Sequence, residues 1–287
     1  MSDRPTLTAL NRFPVKSCRG ESLRTATIEP WGLHGDRRWM LVDDDGETVT
    51  AREHPRLLLV AVSITEAGLH LHHPDLGDLD VLDIQAPAPA TVPVSVFGGA
   101  PFPATPAGAA AAAWFGELLA VRVRLVHVAD PTRRPVNPAF SRPGDCAAFQ
   151  DGYPVTLASE DSLAALNGWI ATGPRAAEGP LPMIRFRPNL VVSGAAPFAE
   201  DGWRRVGIGA AEFRVAKGCA RCAIPTTDHG TAARGHEPTL SLARHRRFDG
   251  KVWFATNLIP DTPGATVRVG DPLQVLEAEP VPNGPRR

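Results

Sequence analysis

Lys217-Gly218-Cys219-Ala220-Arg221-Cys222 gathers two thiols and two cations into six residues. Thiols at this spacing can share a metal ion, cycle as a dithiol, or divide into one working thiolate and one bystander. A zinc site would need a second ligand pair, and the downstream candidates are His229 and His236. Their intervals from Cys222 match no common zinc-finger spacing. A thioredoxin-like dithiol belongs at the start of a helix in a βαβ unit. Here strand-like Phe213–Lys217 precedes the pair, and Pro225 opposes a helix after it. The third option suits the local charges: Arg221 and Lys217 would stabilise a thiolate by Coulomb attraction. A single soft thiolate is also what a molybdenum or copper centre recruits. Against all three stands a plainer role, two small buried hydrophobes.

Other cations fall in motif-like segments. The chain has three lysines, Lys16, Lys217 and Lys251. In Pro14-Val15-Lys16-Ser17-Cys18, an ammonium beside a hydroxyl could hold a phosphate, although a solvated turn is the simpler use. Arg37 and Arg187 each stand before a predicted strand, where a guanidinium serves as an anion fork or a salt-bridge partner. Pro188 should push Arg187 to an extended backbone. Asn189 could read a heterocycle's donors and acceptors or close a turn.

These residues need a scaffold, and composition limits its kind. With 287 residues, 43% of them hydrophobic, the chain can bury one large core or two modest ones. A net charge of -1 argues against a nucleic-acid coat or polybasic membrane binding. The N-terminal residues carry no apolar run behind a basic stretch. The uncharged stretch Val92–Gly116 is broken by prolines, so no membrane span is expected. The expectation is a soluble cytoplasmic protein whose four cysteines serve chemistry rather than disulfides.

The 29 prolines and 26 glycines punctuate short apolar runs, which favours a mainly β fold with a few helices, an α+β class. Arg38–Val42 and Glu47–Ala51 flank Asp43-Asp44-Asp45-Gly46, a hairpin with an Asp-Gly turn. A calcium loop is the sharper reading of those aspartates, but the downstream bidentate Glu is missing. Further strands are predicted at Leu57–Ile64, Leu79–Ile84, Val121–Val128, Asn189–Ser193, Arg204–Ile208, Glu212–Ala216, Val252–Thr256 and Thr266–Val269. Helices are predicted at Ala107–Leu119, at Glu160–Ile170 behind a Ser159 cap, and at Thr239–Arg247. Proline-rich, basic Asp130–Gly144 reads as a crossing between two β-rich bodies.

PVKSCRG, GDRRWMLVDDDGETVTARE, RFRPNLVVSG, KGCARCAIPTTD and VGDPLQVL occur in an order that resembles MOSC proteins carrying a MOSC N-terminal β-barrel. The likeness is nearest to the amidoxime-reducing component and its bacterial relatives, and it spans nearly the whole chain. It implies a MOSC N-terminal β-barrel domain over 1–130, a MOSC β-barrel domain over 131–280 and a tail over 281–287. It implies a molybdenum cofactor, a pterin carrying the metal, between the two domains, with Cys222 as metal ligand and catalytic residue. Carried over by position, Lys16, Ser17, Arg37, Asp151, Arg187, Asn189, Ala220 and Arg221 would contact that cofactor. Gly152-Tyr153 and Asp228-His229-Gly230 depart from the family's usual residues.

The resemblance implies reduction of N-hydroxylated small molecules. The chain has no second cysteine cluster for an iron–sulfur centre and no Gly-x-Gly-x-x-Gly. Electrons would therefore come from a separate ferredoxin, cytochrome or flavoprotein. Two other functions share the residues: a sulfur carrier with a Cys222 persulfide, and a non-catalytic β-barrel binding module.

Overall fold

The computed structural model describes residues 4–82, 90–281 and 284. The first stretch forms β1 (Thr6–Arg12), β2 (Glu21–Leu23), β3 (Thr25–Glu29) and β4 (Gly32–Leu33). Next come β5 (Trp39–Val42), β6 (Thr48–Val49), β7 (Ala61–Thr65), β8 (Gly68–His73), β9 (Gly77–Leu82), β10 (Val92–Val94) and β11 (Phe102–Pro106). Helix α1 (Ala109–Leu119) and β12 (Arg124–His127) close that part. After the crossing follow β13 (Val155–Ser159), α2 (Glu160–Ala171), β14 (Leu190–Ser193), β15 (Trp203–Ile208) and β16 (Ala211–Ala220). The last elements are α3 (Thr239–His245), β17 (Arg247–Phe248), β18 (Lys251–Pro260), β19 (Thr266–Arg268) and β20 (Leu273–Ala278). The fold is mostly β with three α-helices among the described residues, the α+β class expected.

A nine-stranded sheet runs β2-β1-β14-β13-β18-β16-β15-β20, with β17 added on β18. Its one parallel pair is β13 with β14, joined through α2. The Ser159 hydroxyl accepts from the Asp161 and Ser162 amides and starts that helix, which is the predicted cap. Strand β1 pairs antiparallel with β14, Leu7 opposite Val192, so the hydrogen bonding crosses the sequence division expected near residue 130. Leu7, Leu10, Ile28 and Leu33 share a core with Val155, Leu190, Phe213 and Leu258.

The second body combines the five-stranded sheet β10-β11-β12-β5-β6 with the meander β7-β8-β9. All four residues of β5 are buried. Because successive side chains point to opposite faces, Trp39 and Leu41 join the α1 core while Met40 and Val42 join a core with Phe102 and Phe149. The Asp43–Gly46 turn is a hairpin. Asp43 Oδ1 accepts from the Asp45 and Glu47 amides, and Gly46 takes φ 83°. Those hydrogen bonds close the turn itself, which is the plainer of the two readings.

One predicted element differs. Leu57–Ile64 is not one strand: Pro55–Leu59 forms a 3-10 turn, started by the proline, and only Ala61–Thr65 extends. The end of predicted Leu79–Ile84 lies outside the described residues. The crossing is two short 3-10 turns, Pro131–Arg133 and Pro138–Phe140. From it Arg134 reaches back to the carbonyls of Ala148 (2.6 Å) and Asp151 (3.2 Å), fixing the loop that carries Asp151. No helix of the described residues is long and apolar enough to cross a membrane.

Candidate functional site

Three loops zip together where the two bodies meet. The Phe13 amide donates to Asp36 Oδ1 (2.8 Å), the Arg37 amide to the Phe13 carbonyl (2.8 Å), and the Lys16 amide to the Trp39 carbonyl (2.8 Å). The Phe149 amide then donates to the Arg37 carbonyl (2.9 Å), drawing in the Asp151 loop. The opposite wall is the end of β16, whose pairing with β18 shifts register between Val215 and Lys217 and again between Gly218 and Ala220. Such bulges re-aim side chains. Here they bring Lys217 to Cys222 along the wall of a cavity of about 320 Å³.

Of the nine residues proposed from sequence, eight line this cavity: Lys16, Ser17, Arg37, Asp151, Arg187, Ala220, Arg221 and Cys222. Asn189 does not. It is buried one layer behind, where its Oδ1 accepts from Arg37 Nη1 (3.1 Å) and the Thr156 amide (3.2 Å). Its Nδ2 donates to the Asn11 carbonyl (3.2 Å). With both ends engaged by protein, Asn189 orients Arg37 rather than facing a ligand.

Ser17, Arg37 and Arg187 share a backbone peculiarity, positive φ of 69°, 47° and 53°. The extended backbone expected for Arg187 is corrected: it is left-handed, closing the 3-10 turn Met183–Phe186 with its amide on the Ile184 carbonyl. Such conformations cost on the order of 1–3 kcal/mol and persist where surrounding structure imposes them. In return the Arg187 guanidinium meets the Cys18 carbonyl (2.7 Å) and one Phe13 ring is shared with Arg37, at 4.3 and 4.4 Å.

The electrostatics are lopsided. Six lining residues are Lys or Arg, and one, Asp151, is acidic. Burial pulls the Lys16 pKa down to about 8, against the opposing pull of Asp151. Burial likewise lowers Arg187 to about 9, and neighbouring Arg37 adds to it. Burial disfavours charge on Asp151 too, but Lys16 and Arg52 outweigh it and hold the carboxyl well below its ordinary range. Lys16 also donates to the Phe149 carbonyl (2.8 Å). A cavity with this surplus of cations suits an anion.

The thiols separate by position. Cys18 and Cys146 are buried, and burial pushes Cys18 up to about 12. Cys219 and Cys222 are half-buried and line the cavity. The expected cation partners of Cys222 are corrected. Arg221 Nη1 lies 2.9 Å from Cys219 Sγ, and its Nη2 donates to the Phe186 carbonyl (2.9 Å). Lys217 stands over the Phe140 ring at 4.6 Å. The cation whose charge acts on Cys222 is instead Arg52, which also donates to Asp151 (2.6 Å). The register shifts in β16 explain the exchange, because side-chain direction cannot be counted along a bulged strand.

Sequence reasoning did not single out Arg52, Gln150 or Thr156, all in the wall. Arg52 lay inside a quoted motif, Thr48-Val49-Thr50-Ala51-Arg52, so a signal existed. Gln150 Oε1 and Arg221 Nε are buried without a protein partner. Unpaired buried polar atoms, surplus cations and a soft thiol in one cavity form a donor set that fits an anionic cofactor carrying a thiophilic metal.

The chain matches the MOSC N-terminal beta barrel domain over residues 4–122 and the MOSC domain over 145–274. It is 33% identical to human mitochondrial amidoxime-reducing component 1, an alignment covering 94% of this chain and 83% of that one. It is 31% identical to rat mitochondrial amidoxime reducing component 2, over 91% of this chain and 80% of that one. Rice molybdenum cofactor sulfurase is 30% identical over 84% of this chain, which corresponds to 31% of the rice protein.

Proposed function

Since this chain belongs to the family that joins a MOSC N-terminal beta barrel domain to a MOSC domain, we propose that it is a molybdenum-cofactor-dependent oxidoreductase of N-hydroxylated compounds. The observation that carries the proposal is the convergence, in one cavity, of Cys222 with Lys16, Ser17, Arg37 and Arg187. The cofactor, when bound, supplies a redox metal able to take an oxygen from an N–O bond. The Cys222 thiolate would be the protein's ligand to that metal, with catalytic contact to the reacting centre. Among the described residues no group of three or more His, Cys, Asp or Glu side chains is arranged to hold a metal ion.

Lys16, Arg37 and Arg187 would meet the cofactor's phosphate, with the Ser17 hydroxyl beside them. Ala220 and Arg221 would line the approach to the metal. Asp151 keeps Lys16 and Arg52 in place, and Asn189 keeps Arg37 in place. The overall change is R–NHOH plus two electrons and two protons giving R–NH2 and water. The electrons would come from a separate ferredoxin, cytochrome or flavoprotein. A cytoplasmic setting is part of the same proposal.

The test is molybdenum and pterin analysis of protein made in a cofactor-competent host, wild type beside Cys222→Ser. Near one metal per chain, lost in the variant, supports the reading; a wild type without either group defeats it. A second reading has its own support, the half-exposed Cys222 thiol beside Arg52 and the likeness to a cofactor sulfurase. In that reading Cys222 carries a persulfide. Mass spectrometry finding one added sulfur on Cys222, without molybdenum, would favour it.

A further inference from the structure

Phe97 is the one exposed Phe, Tyr or Trp among the described residues, at 47%. Its backbone is left-handed, φ 53°, a genuine outlier for a bulky residue. The loop that imposes it runs from β10 to β11. There the Ser95 hydroxyl bonds Glu47, the Gly98 amide donates to the same carboxylate (3.3 Å), and the Gly99 amide returns to the Val96 carbonyl (3.2 Å). Strain that exposes an apolar ring to water has no folding benefit, and such outliers cluster at ligand clamps.

The ring's position gives it a use. One face covers the cations of the cavity rim, 4.3 Å from the Arg52 guanidinium and 4.9 Å from Lys16 Nζ. Arg52 and Lys16 both line the cavity together with Cys222, and the Arg52 charge acts on that thiol. The ring therefore stands one residue away from the reacting sulfur, outside the wall. A cavity of about 320 Å³ is at the small end for a single drug-sized ligand. A pterin with its phosphate would fill most of it. Only the reacting end of a substrate would then enter, and the rest would lie outside, where Phe97 is the exposed aromatic ring beside the lining cations.

We propose that Phe97 is a specificity-determining residue whose outer face stacks against the planar aromatic body of a substrate whose N–O group enters the cavity. This inference rests on the proposed reductase reading for the identity of that group. Its cation-covered inner face leaves the outer one for offset or edge stacking.

The test measures equilibrium binding by calorimetry to the cofactor-loaded protein, with an aryl amidoxime and an n-alkyl amidoxime of similar size. Wild type should bind the aryl compound about tenfold more tightly. Phe97→Ala should remove that preference with alkyl binding and molybdenum content unchanged, and Phe97→Tyr should keep it. The proposal is overturned if wild type shows no aryl preference. It is equally overturned if Phe97→Ala weakens both ligands alike or lowers molybdenum content, since the ring would then only cover Lys16 and Arg52. Aryl preference without turnover by chemically reduced protein would sink the reductase reading and leave the stacking role standing. Turnover of both compounds without preference would do the reverse.

Discussion

Arg37 Nη1 donates to Asn189 Oδ1 at 3.1 Å across the meeting of the two bodies, one residue lining the cavity and the other sealed behind it. Asn189→Leu would leave the Arg37 guanidinium and the Thr156 amide each without that acceptor. The expected cost is about 1–3 kcal/mol for an orphaned buried donor, more for a charged one. Urea denaturation should show a lower midpoint at an unchanged slope, together with reduced pterin content. An unchanged midpoint would mean that Arg37 finds its own support from Asp36.

The two half-buried thiols should answer differently to the same change. Cys222→Ser should lose bound molybdenum, while Cys219→Ser should keep most of it, because the Cys219 sulfur is engaged by Arg221. Metal analysis of the two purified variants decides this. Equal loss from both would make Cys219 a ligand as well.

Lys16 gives the cavity a pH limit. Burial brings its pKa down to about 8, with Asp151 opposing. Below that value the ammonium is charged and holds an anion; as pH rises through it, the charge and the grip decline. Inorganic phosphate binding to cofactor-free protein should weaken as pH rises through about 8. In Asp151→Asn the opposing pull is gone, so the decline should begin at lower pH. A binding curve flat across that range would show that Arg37 and Arg187 carry the affinity.

Much of this was legible beforehand, and the parts that were not have physical reasons. The Asp-Gly hairpin and the Ser159 cap are local, since a positive φ and a side-chain oxygen beside free amides decide them. The lining residues were found through motif order rather than periodicity. What failed was direction. Arg221 follows Cys219, and Arg187 turns left-handed before Pro188, because a bulged strand and a 3-10 turn set their backbones. Arg52 comes from a separate body, and no spacing along the chain announces that it meets Cys222.

Glu200 offers a stability test remote from the cavity. It is fully buried, both carboxylate oxygens within hydrogen-bond distance of the Ser162 hydroxyl, at 2.8 and 2.9 Å. Burial raises its pKa to about 7, above the ordinary carboxylate value. A raised folded-state pKa means that folding favours the protonated form. Its stabilising contribution is full below the unfolded pKa and is lost as pH rises through about 7. The wild-type denaturation midpoint should therefore fall between about pH 5 and pH 8. Glu200→Gln should flatten that part of the profile. A variant as pH-dependent as the wild type would place the titration elsewhere.

Strand β1 is made long before its neighbour β14, which follows both the meander and the crossing. Until then β1 has only β2 to pair with, and its other edge and the side chains of Leu7 and Leu10 lack most of the sheet and core they join. The meander and its helix can assemble while synthesis continues, but the larger body cannot close until nearly all of it has been translated. A fragment beginning at the crossing would likewise lack a structural strand, so residues 131–280 should not be obtainable as a stable excised piece.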